Sequence, residues 1–209
     1  MDFWNDEITE KSWERLIELK NRFNFILIGG WAVYLYTARN KSKDIDIIVD
    51  YDTLWSMKNT YGVLKKNDNL KKYEINLEEG IDVDIYVPKY SKLVIPVKDI
   101  FNLTIGREGF ILPKEEALAI LKIKAFIDRH NSIKGKKDAI DITNLVFFSD
   151  FDFNFFKELT IKYELPDYPR ILLNIIEKFD ISYIEYLDLN EYEFSKLKKK
   201  YVEEIRKIL

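Results

Sequence analysis

The stretch from Phe25 to Asp50 constrains the fold more than any other part of this 209-residue chain. Its sequence is FILIGGWAVYLYTARNKSKDIDIIVD. The apolar run at its start is short and partly β-branched, which predicts a buried strand, and this run ends at Gly29 and Gly30. The bulky apolar residues of Trp31 to Ala38 predict a helix packed on that strand. A strand that leads into a helix through two glycines lets the backbone approach a phosphate group closely.

Acidic and apolar residues alternate from Asp44 to Val49, which predicts a second strand. Asp44 and Asp46 are two positions apart, so their carboxylates are expected on the same face, within reach of one hard cation. Mg²⁺, or Mn²⁺ in its place, takes oxygen ligands of this kind and keeps phosphate oxygens in its shell. The pattern therefore predicts metal-assisted chemistry on a phosphate-bearing substrate.

A third carboxylate is expected from the alternating segment Ile81 to Val87. Asp82 and Asp84 share a face of this predicted strand, and one of them would complete a two-metal clamp. We favour Asp84 because the apolar alternation continues after it through Ile85 and Val87, as it does after Asp46, and Asp82 stays the alternative.

The remaining pattern predicts an α+β N-terminal domain, residues 1–112, followed by a helical C-terminal domain, residues 113–209. The residue pattern changes at Pro113, which precedes a predicted helix with two glutamates in its first turn. Further strands are expected at Lys72–Leu77, joined to Ile81–Val87 by the turn Glu78-Glu79-Gly80, and at Leu93–Ile95 and Phe110–Leu112. Helices are expected at Asp6–Arg22 (N-cap Asn5), Asp52–Lys66 (N-cap Asp52), Lys114–His130, Lys137–Phe148, Asn154–Tyr163 (N-cap Asp152), Tyr168–Phe179 and Glu191–Ile208 (N-cap Asn190).

Composition excludes several classes of protein. The chain contains no cysteine, which rules out a disulfide framework and a zinc-thiolate site. No segment approaches the roughly 20 apolar residues that span a bilayer, and the acidic N-terminus lacks the features of a signal peptide. We therefore expect a cytoplasmic protein with no membrane partner. A net charge of −3 is unlike a typical nucleic-acid binder, although clustered lysines leave room for local basic patches.

At Gly29-Gly30 and Asp44-Ile45-Asp46 the sequence resembles the nucleotidyltransferases of the DNA polymerase beta superfamily. More narrowly it resembles the AbiEii-like members, many of which are toxins of toxin–antitoxin or phage-defence systems. Ser42 stands two residues before the first aspartate, as is common in that group. Two elements of the C-terminal half also match the spacing of that group: Lys122, Ala125 and Arg129, and then Lys137, Asp138 and Asp141.

The resemblance implies a polymerase-beta-like core and a transfer of a nucleotidyl group from a nucleoside triphosphate (NTP) to an acceptor hydroxyl. Such an acceptor would be a tRNA 3′ end, a protein or a small molecule, and a toxin would have a cognate antitoxin. The implied metal ligands are Asp44, Asp46 and Asp84; the implied nucleotide-binding residues are Gly29, Gly30, Ser42, Lys43, Lys122 and Arg129.

Lys122 and Arg129 are seven residues apart, nearly two helical turns, so they share a helix face from which they could bind a triphosphate. Asp141 or Asp138 could orient the lysine or activate the acceptor hydroxyl. The alternative is an ordinary salt-bridged pair of helices. Two other functions also remain open: a non-catalytic nucleotide-binding or antitoxin-like module, and a small-molecule nucleotidyltransferase of the aminoglycoside-modifying kind.

Overall fold

The computed structural model describes residues 6–77 and 80–209. The predicted N-cap Asn5 and two residues of the predicted acidic turn, Glu78 and Glu79, lie outside the described residues. No helix in the described part of the chain is long and apolar enough to cross a membrane.

The described residues divide into two compact units. The first takes those in Met1–Leu35 and Asn40–Lys114, and the second takes Tyr36–Arg39 and Glu115–Leu209. Arg39 joins the second unit because its Nε donates to the carbonyl of Leu187 at 3.1 Å and its guanidinium lies 3.6 Å from the ring centroid of Phe148.

A mixed seven-stranded sheet forms the centre of the first unit, in the order β3-β4-β5-β2-β1-β7-β6 among the described residues. Strands β1 and β2 are antiparallel, β2 and β5 are parallel, and β4 and β5 are antiparallel. The strands are β1 (Ile26–Ile28), β2 (Ile45–Ile48), β3 (Lys65–Asn67), β4 (Lys72–Asn76), β5 (Asp82–Tyr86), β6 (Thr104–Arg107) and β7 (Phe110–Pro113).

Helices accompany the sheet in the first unit and form the bulk of the second. In chain order, the helices of both units begin with α1 (Asp6–Arg22), α2 (Gly29–Thr37), α3 (Tyr51–Tyr61), α4 (Val97–Ile100) and α5 (Glu115–Arg129). The others are α6 (Ile133–Phe148), α7 (Phe153–Lys162), α8 (Tyr168–Glu177) and α9 (Glu191–Arg206), with a 3₁₀ helix at Ile181–Leu187. This arrangement confirms the predicted α+β class with a helical C-terminal part.

The apolar face of the sheet explains why β2 and β5 alternate. Ile45 and Ile47 are fully buried, as are Val83 and Ile85 on the neighbouring strand. Burying branched side chains of this size contributes roughly 1.5–3 kcal/mol each. Because side chains alternate along a strand, this burial directs the aspartates of β2 and β5 to the opposite face.

The helix predicted between Asp52 and Lys66 is present as α3, but its predicted cap, Asp52, and its predicted end are wrong. Helix α3 ends at Tyr61, and its N-cap is Asp50, whose side chain accepts from the amide of Thr53 at 2.7 Å. Gly62 follows with a φ of +71° and a ψ of −40°, a conformation that glycine adopts more readily than other residues, and the helix ends there. Beyond it, Lys65–Asn67 is a strand.

The strand predicted at Leu93–Ile95 is also wrong. This segment is irregular, and Ile95 is fully buried immediately before Pro96 and the short helix α4. The apolar residues of this segment therefore serve packing and do not pair with a strand of the sheet. Helix α6 begins earlier than predicted, at Ile133, because Ser132 caps it by accepting from the amide of Gly135 at 3.1 Å.

Candidate active site

Carboxylates of three adjacent strands line up on the polar face of the sheet. Asp46 on β2 is paired in register with Asp84 on β5, and Asp84 is paired with Glu74 on β4. Neighbouring strands lie roughly 4.7–4.9 Å apart, and residues in register on them point to the same side of the sheet. Asp44 precedes β2 and shares the face of Asp46 by alternation. We call Asp44, Asp46, Glu74 and Asp84, together with Lys72, the sheet carboxylate cluster.

The two glycines after β1 lie directly against this cluster. Gly29 has a φ of +71°, and a Cβ added to it would lie 2.1 Å from Oδ2 of Asp46. A Cβ added to Gly30 would lie 2.7 Å from Oγ of Ser42, and this hydroxyl donates to the carbonyl of Asp44 at 3.1 Å. Any side chain at Gly29 would therefore displace the carboxylate, which explains the residue type at this position.

Lys72 is the partner of the third carboxylate. Its Nζ lies 2.6 Å from Oδ2 of Asp84 and 3.1 Å from Oε1 of Glu74, and its side chain is only 13% exposed. Asn67 supports Glu74 by donating to its Oε1 at 2.9 Å. Asp82, the alternative third carboxylate, accepts instead from the side-chain amide of Asn76.

The electrostatics of the cluster reflect crowded negative charge. Burial raises the pKa of Asp84, the charges of Glu74 and Asp44 raise it further, and Lys72 opposes the shift. Burial works against the charge of Lys72, but its hydrogen bonds to Asp84 and Glu74 outweigh burial and raise its pKa. Lys72 is therefore a firmly charged ammonium among carboxylates.

The donor chemistry of this face fits a hard divalent cation, since Asp44, Asp46 and Asp84 offer carboxylate oxygens alone. Among the described residues, however, no three acidic, histidine or cysteine side chains are placed closely enough to hold a metal ion. The bond from Lys72 to Asp84 gives a physical reason, because it directs one oxygen of the third carboxylate toward an ammonium.

The predicted residues of the C-terminal half form a second set, the helical ion network, within the second unit. Lys122 on α5 lies 2.6 Å from Oδ2 of Asp141 and 3.6 Å from Oδ1 of Asp138 on α6. Arg129 donates to both oxygens of Asp138, at 2.7 and 3.0 Å. Burial raises the pKa of Asp141, and Lys122 opposes this.

Gly135 permits the close approach on which this network depends. A Cβ added to it would lie 2.3 Å from the carbonyl oxygen of Arg129. The end of α5 and the start of α6 can therefore pack backbone to backbone. Sequence reasoning did not single out this glycine.

Most of the predicted site residues fall into two groups. Gly29, Gly30, Ser42, Asp44, Asp46 and Asp84 meet on the polar face of the sheet, and Lys122, Arg129, Asp138 and Asp141 meet between α5 and α6. Lys43 is exposed. Their roles in binding and catalysis stay predictions.

Sequence reasoning missed Lys72 and Glu74. The signal was present, because pairing outward from the turn before Ile81 places Glu74 opposite Asp84 and Lys72 one pleat beyond. Counting the hairpin register, and not only the alternation within each strand, would have found both residues.

The architecture can be compared with known proteins. No protein-family model and no curated protein matches the chain. Among solved structures, JHP933 from Helicobacter pylori is 14% identical, matches over 97% of this chain and 95% of its own, and superposes with a TM-score of 0.52. That likeness shows a shared fold.

Two further structures are similar to a lesser degree. A provisionally assigned nucleotidyltransferase from H. pylori is 14% identical over 99% of each chain, with a TM-score of 0.49. An antigenic nucleotidyltransferase-like protein from Paracoccidioides brasiliensis is 15% identical over 88% of this chain and 93% of its own, with a TM-score of 0.47.

Proposed function

We propose that this protein is a metal-dependent nucleotidyltransferase of the polymerase beta type, which transfers a nucleoside monophosphate group from an NTP to an acceptor hydroxyl. The observation that carries the proposal is the apposition of Gly29 and Asp46, with Asp46 in register with Asp84. A helix start, a left-handed glycine and aligned carboxylates then stand together, which suits a phosphate and a cation at one place.

The reaction forms a bond between the acceptor oxygen and the α-phosphorus and breaks the bond from that phosphorus to the bridging oxygen, so that pyrophosphate leaves. Bound Mg²⁺ or Mn²⁺ would neutralise the phosphate oxygens and favour the acceptor alkoxide. Asp44 and Asp46 would hold the cation, while Asp84 would complete the site and help remove the acceptor proton.

Backbone and basic groups would hold the triphosphate. In the proposal, the amides at Gly29 and Gly30 and the hydroxyl of Ser42 contact phosphate oxygens, and the exposed Lys43 adds positive charge. Correct placement of both reactants is a large part of the rate enhancement of such reactions.

We assign the helical ion network a role in the same reaction. Lys122 and Arg129 would neutralise the triphosphate, and Asp141, with Asp138, would orient the lysine. The 2.6 Å contact between Lys122 and Asp141 supports the orienting role.

The acceptor and the biological setting are finer parts of the proposal. The resemblance to AbiEii-like proteins supports a tRNA 3′ end or a protein hydroxyl as acceptor, a toxin role and a cognate antitoxin as partner. A non-catalytic nucleotide-binding module is the second candidate function. It is favoured by one observation, the engagement of Asp84 by Lys72.

The test is transfer of label from each α-³²P-NTP, with Mg²⁺ or Mn²⁺, into total RNA, total protein and a panel of small-molecule acceptors. The Asp44→Asn/Asp46→Asn double variant is the control. Label in one fraction that disappears in the variant would establish the chemistry and name the acceptor class. No transfer to any acceptor, with metal-dependent nucleotide binding intact, would replace the enzyme with the binding module.

A further inference from the structure

Lys72 is the lysine of the sheet carboxylate cluster. It lies on β4 with its side chain 13% exposed, and its Nζ contacts Oδ2 of Asp84 at 2.6 Å and Oε1 of Glu74 at 3.1 Å. Asp84 is the register partner of Asp46, which in turn lies against Gly29. The ammonium is thus bonded to the one carboxylate that is shared by the lysine and the proposed metal site.

An ammonium and a divalent cation compete for such a carboxylate. Each requires oxygen lone pairs of Asp84, and two cations held on the same group repel one another. A buried lysine that loses its anionic partner is costly, so it needs a second partner close at hand. Glu74 is that partner, because it already lies 3.1 Å from Nζ and is held in place by Asn67 at 2.9 Å.

We propose that Lys72 is a positioning residue that holds Asp84 in the metal-free protein and moves onto Glu74 when a divalent cation binds. This inference rests on the proposed function, since it presupposes a cation at Asp46 and Asp84. Lys72 therefore sets the metal affinity of the site through competition, and Glu74 sets it in the opposite direction by receiving the displaced ammonium.

Two substitutions separate this role from a merely structural one. Lys72→Met removes the competitor and keeps much of the side-chain length, so divalent cations should bind roughly 5-fold tighter or more, the lower range of a coupling between two ligands. Glu74→Gln removes the second partner, so the ammonium stays on Asp84 and divalent cations should bind more weakly. A general loss of folding would weaken binding in both variants.

The experiment is titration of the nucleotide-free full chain with Mn²⁺, followed by electron paramagnetic resonance, with thermal unfolding of each variant as the check on folding. Lys72→Arg keeps the positive charge and should restore metal affinity close to that of the unchanged protein. Lys66→Met is the matched control, because Lys66 is an exposed lysine of the adjacent strand, bonded to Asp68 at 2.8 Å. Asp46→Asn identifies which bound Mn²⁺ belongs to the site.

Tighter Mn²⁺ binding in Lys72→Met and weaker binding in Glu74→Gln is the expected result. Mn²⁺ binding that depends on Asp46 but is unchanged or weaker in a folded Lys72→Met variant would overturn the role of Lys72 and leave the proposed function standing. Absence of Asp46-dependent Mn²⁺ binding in both the unchanged protein and Lys72→Met would overturn the metal site, and the proposed function with it.

Discussion

The two ion clusters of this protein differ in how their charges balance. In the helical ion network, Lys122 and Arg129 meet Asp138 and Asp141, so that cations and carboxylates are equal in number. In the sheet carboxylate cluster, Lys72 bonds two carboxylates while Asp44 and Asp46 stand beside them. The helical set can be satisfied internally, whereas the sheet set retains an excess of negative charge.

This difference separates a set with equal numbers of cations and carboxylates from a set in which carboxylates are in excess. A balanced and buried ion network costs desolvation but leaves no charge without compensation. An excess of carboxylates on one face raises the free energy of the folded state unless a cation joins it. The sheet carboxylate cluster is therefore the stronger candidate for ligand chemistry, and the helical ion network has a structural role whatever else it does.

The largest effect is expected from breaking the balanced network. Asp141→Ala would leave Lys122 buried beside an incomplete set of partners, and the cost should be about 3–5 kcal/mol of unfolding free energy. Urea unfolding at neutral pH measures it. Asp128→Ala is the control, because its pair with Lys124 is about half exposed and should contribute no more than about 1 kcal/mol. Equal losses in both variants would contradict the distinction.

A paired replacement sharpens the same point. Lys122→Met/Asp141→Leu removes both charges together and should restore most of the stability lost in Asp141→Ala. Nucleotidyl transfer should nevertheless stay low, because the proposed function needs the lysine. Full transfer in the stable double variant would assign the helical ion network a structural role alone.

The next largest effect concerns the unbalanced cluster. Asp46→Asn should lower nucleotidyl transfer by about 10²–10³-fold, the usual cost of losing one preorganised electrostatic contact to the reacting groups. Its unfolding free energy should fall less than that of Asp141→Ala, because Asp46 lies among several carboxylates on one face of the sheet. Asp52→Asn alters an exposed acid in the first turn of α3 and is the matched control. A loss of stability in Asp46→Asn as large as that in Asp141→Ala would contradict the comparison.

A smaller effect is expected where the glycine meets the carboxylate. Gly29→Ala and Gly62→Ala both place a side chain at a φ of +71°, which costs about 1–2 kcal/mol. Only Gly29 also meets Asp46, since nothing lies within 4 Å of a Cβ at Gly62. Gly29→Ala should therefore lose about 1 kcal/mol more, as overpacked sites do, and lose transfer activity. Equal stability and activity in the two variants would remove the proposed contact.

The smallest effect is expected at Asp50, a carboxylate whose hydrogen bonds are made to the first turn of its own helix. The amide and hydroxyl of Thr53 lower the pKa of Asp50 below its ordinary value of 3.8. Its capping contribution, about 1 kcal/mol, is therefore present above pH 3.8 and is lost as pH falls through the lowered pKa. Asp50→Asn keeps a capping side chain that does not titrate. In acid, the unchanged protein should lose unfolding free energy relative to Asp50→Asn, and near neutral pH the difference between the two should not change with pH. Urea unfolding across roughly pH 2.5–7 measures this difference.

Much of the fold could be predicted from local pattern. Helix α1 has the predicted bounds, and Asp152 and Asn190 cap α7 and α9 as expected. The strand alternation around Asp46 and Asp84 is likewise a property of a few consecutive residues. Such features depend on contacts close in sequence, where residue type and spacing carry most of the information.

The features that sequence analysis missed or predicted wrongly depend on residues outside the segment concerned. Strand β3 has the sequence Lys-Lys-Asn, without apolar alternation, and exists because it pairs with β4. The predicted strand at Leu93–Ile95 was inferred from apolar residues, of which Ile95 is buried without pairing in the sheet. The contact of Lys72 with Asp84 likewise depends on hairpin register, which single-strand patterns do not contain.

The membership of Tyr36–Arg39 in the second unit has a consequence for how the chain is made and cut. Ribosomal synthesis delivers Arg39 early, but the carbonyl of Leu187 that it bonds emerges 148 residues later. Completion of the second unit must therefore wait until nearly the whole chain is available. A single protease cut after Lys114 would likewise break the covalent link between Arg39 and the helices that follow, so neither fragment alone would contain the whole second unit.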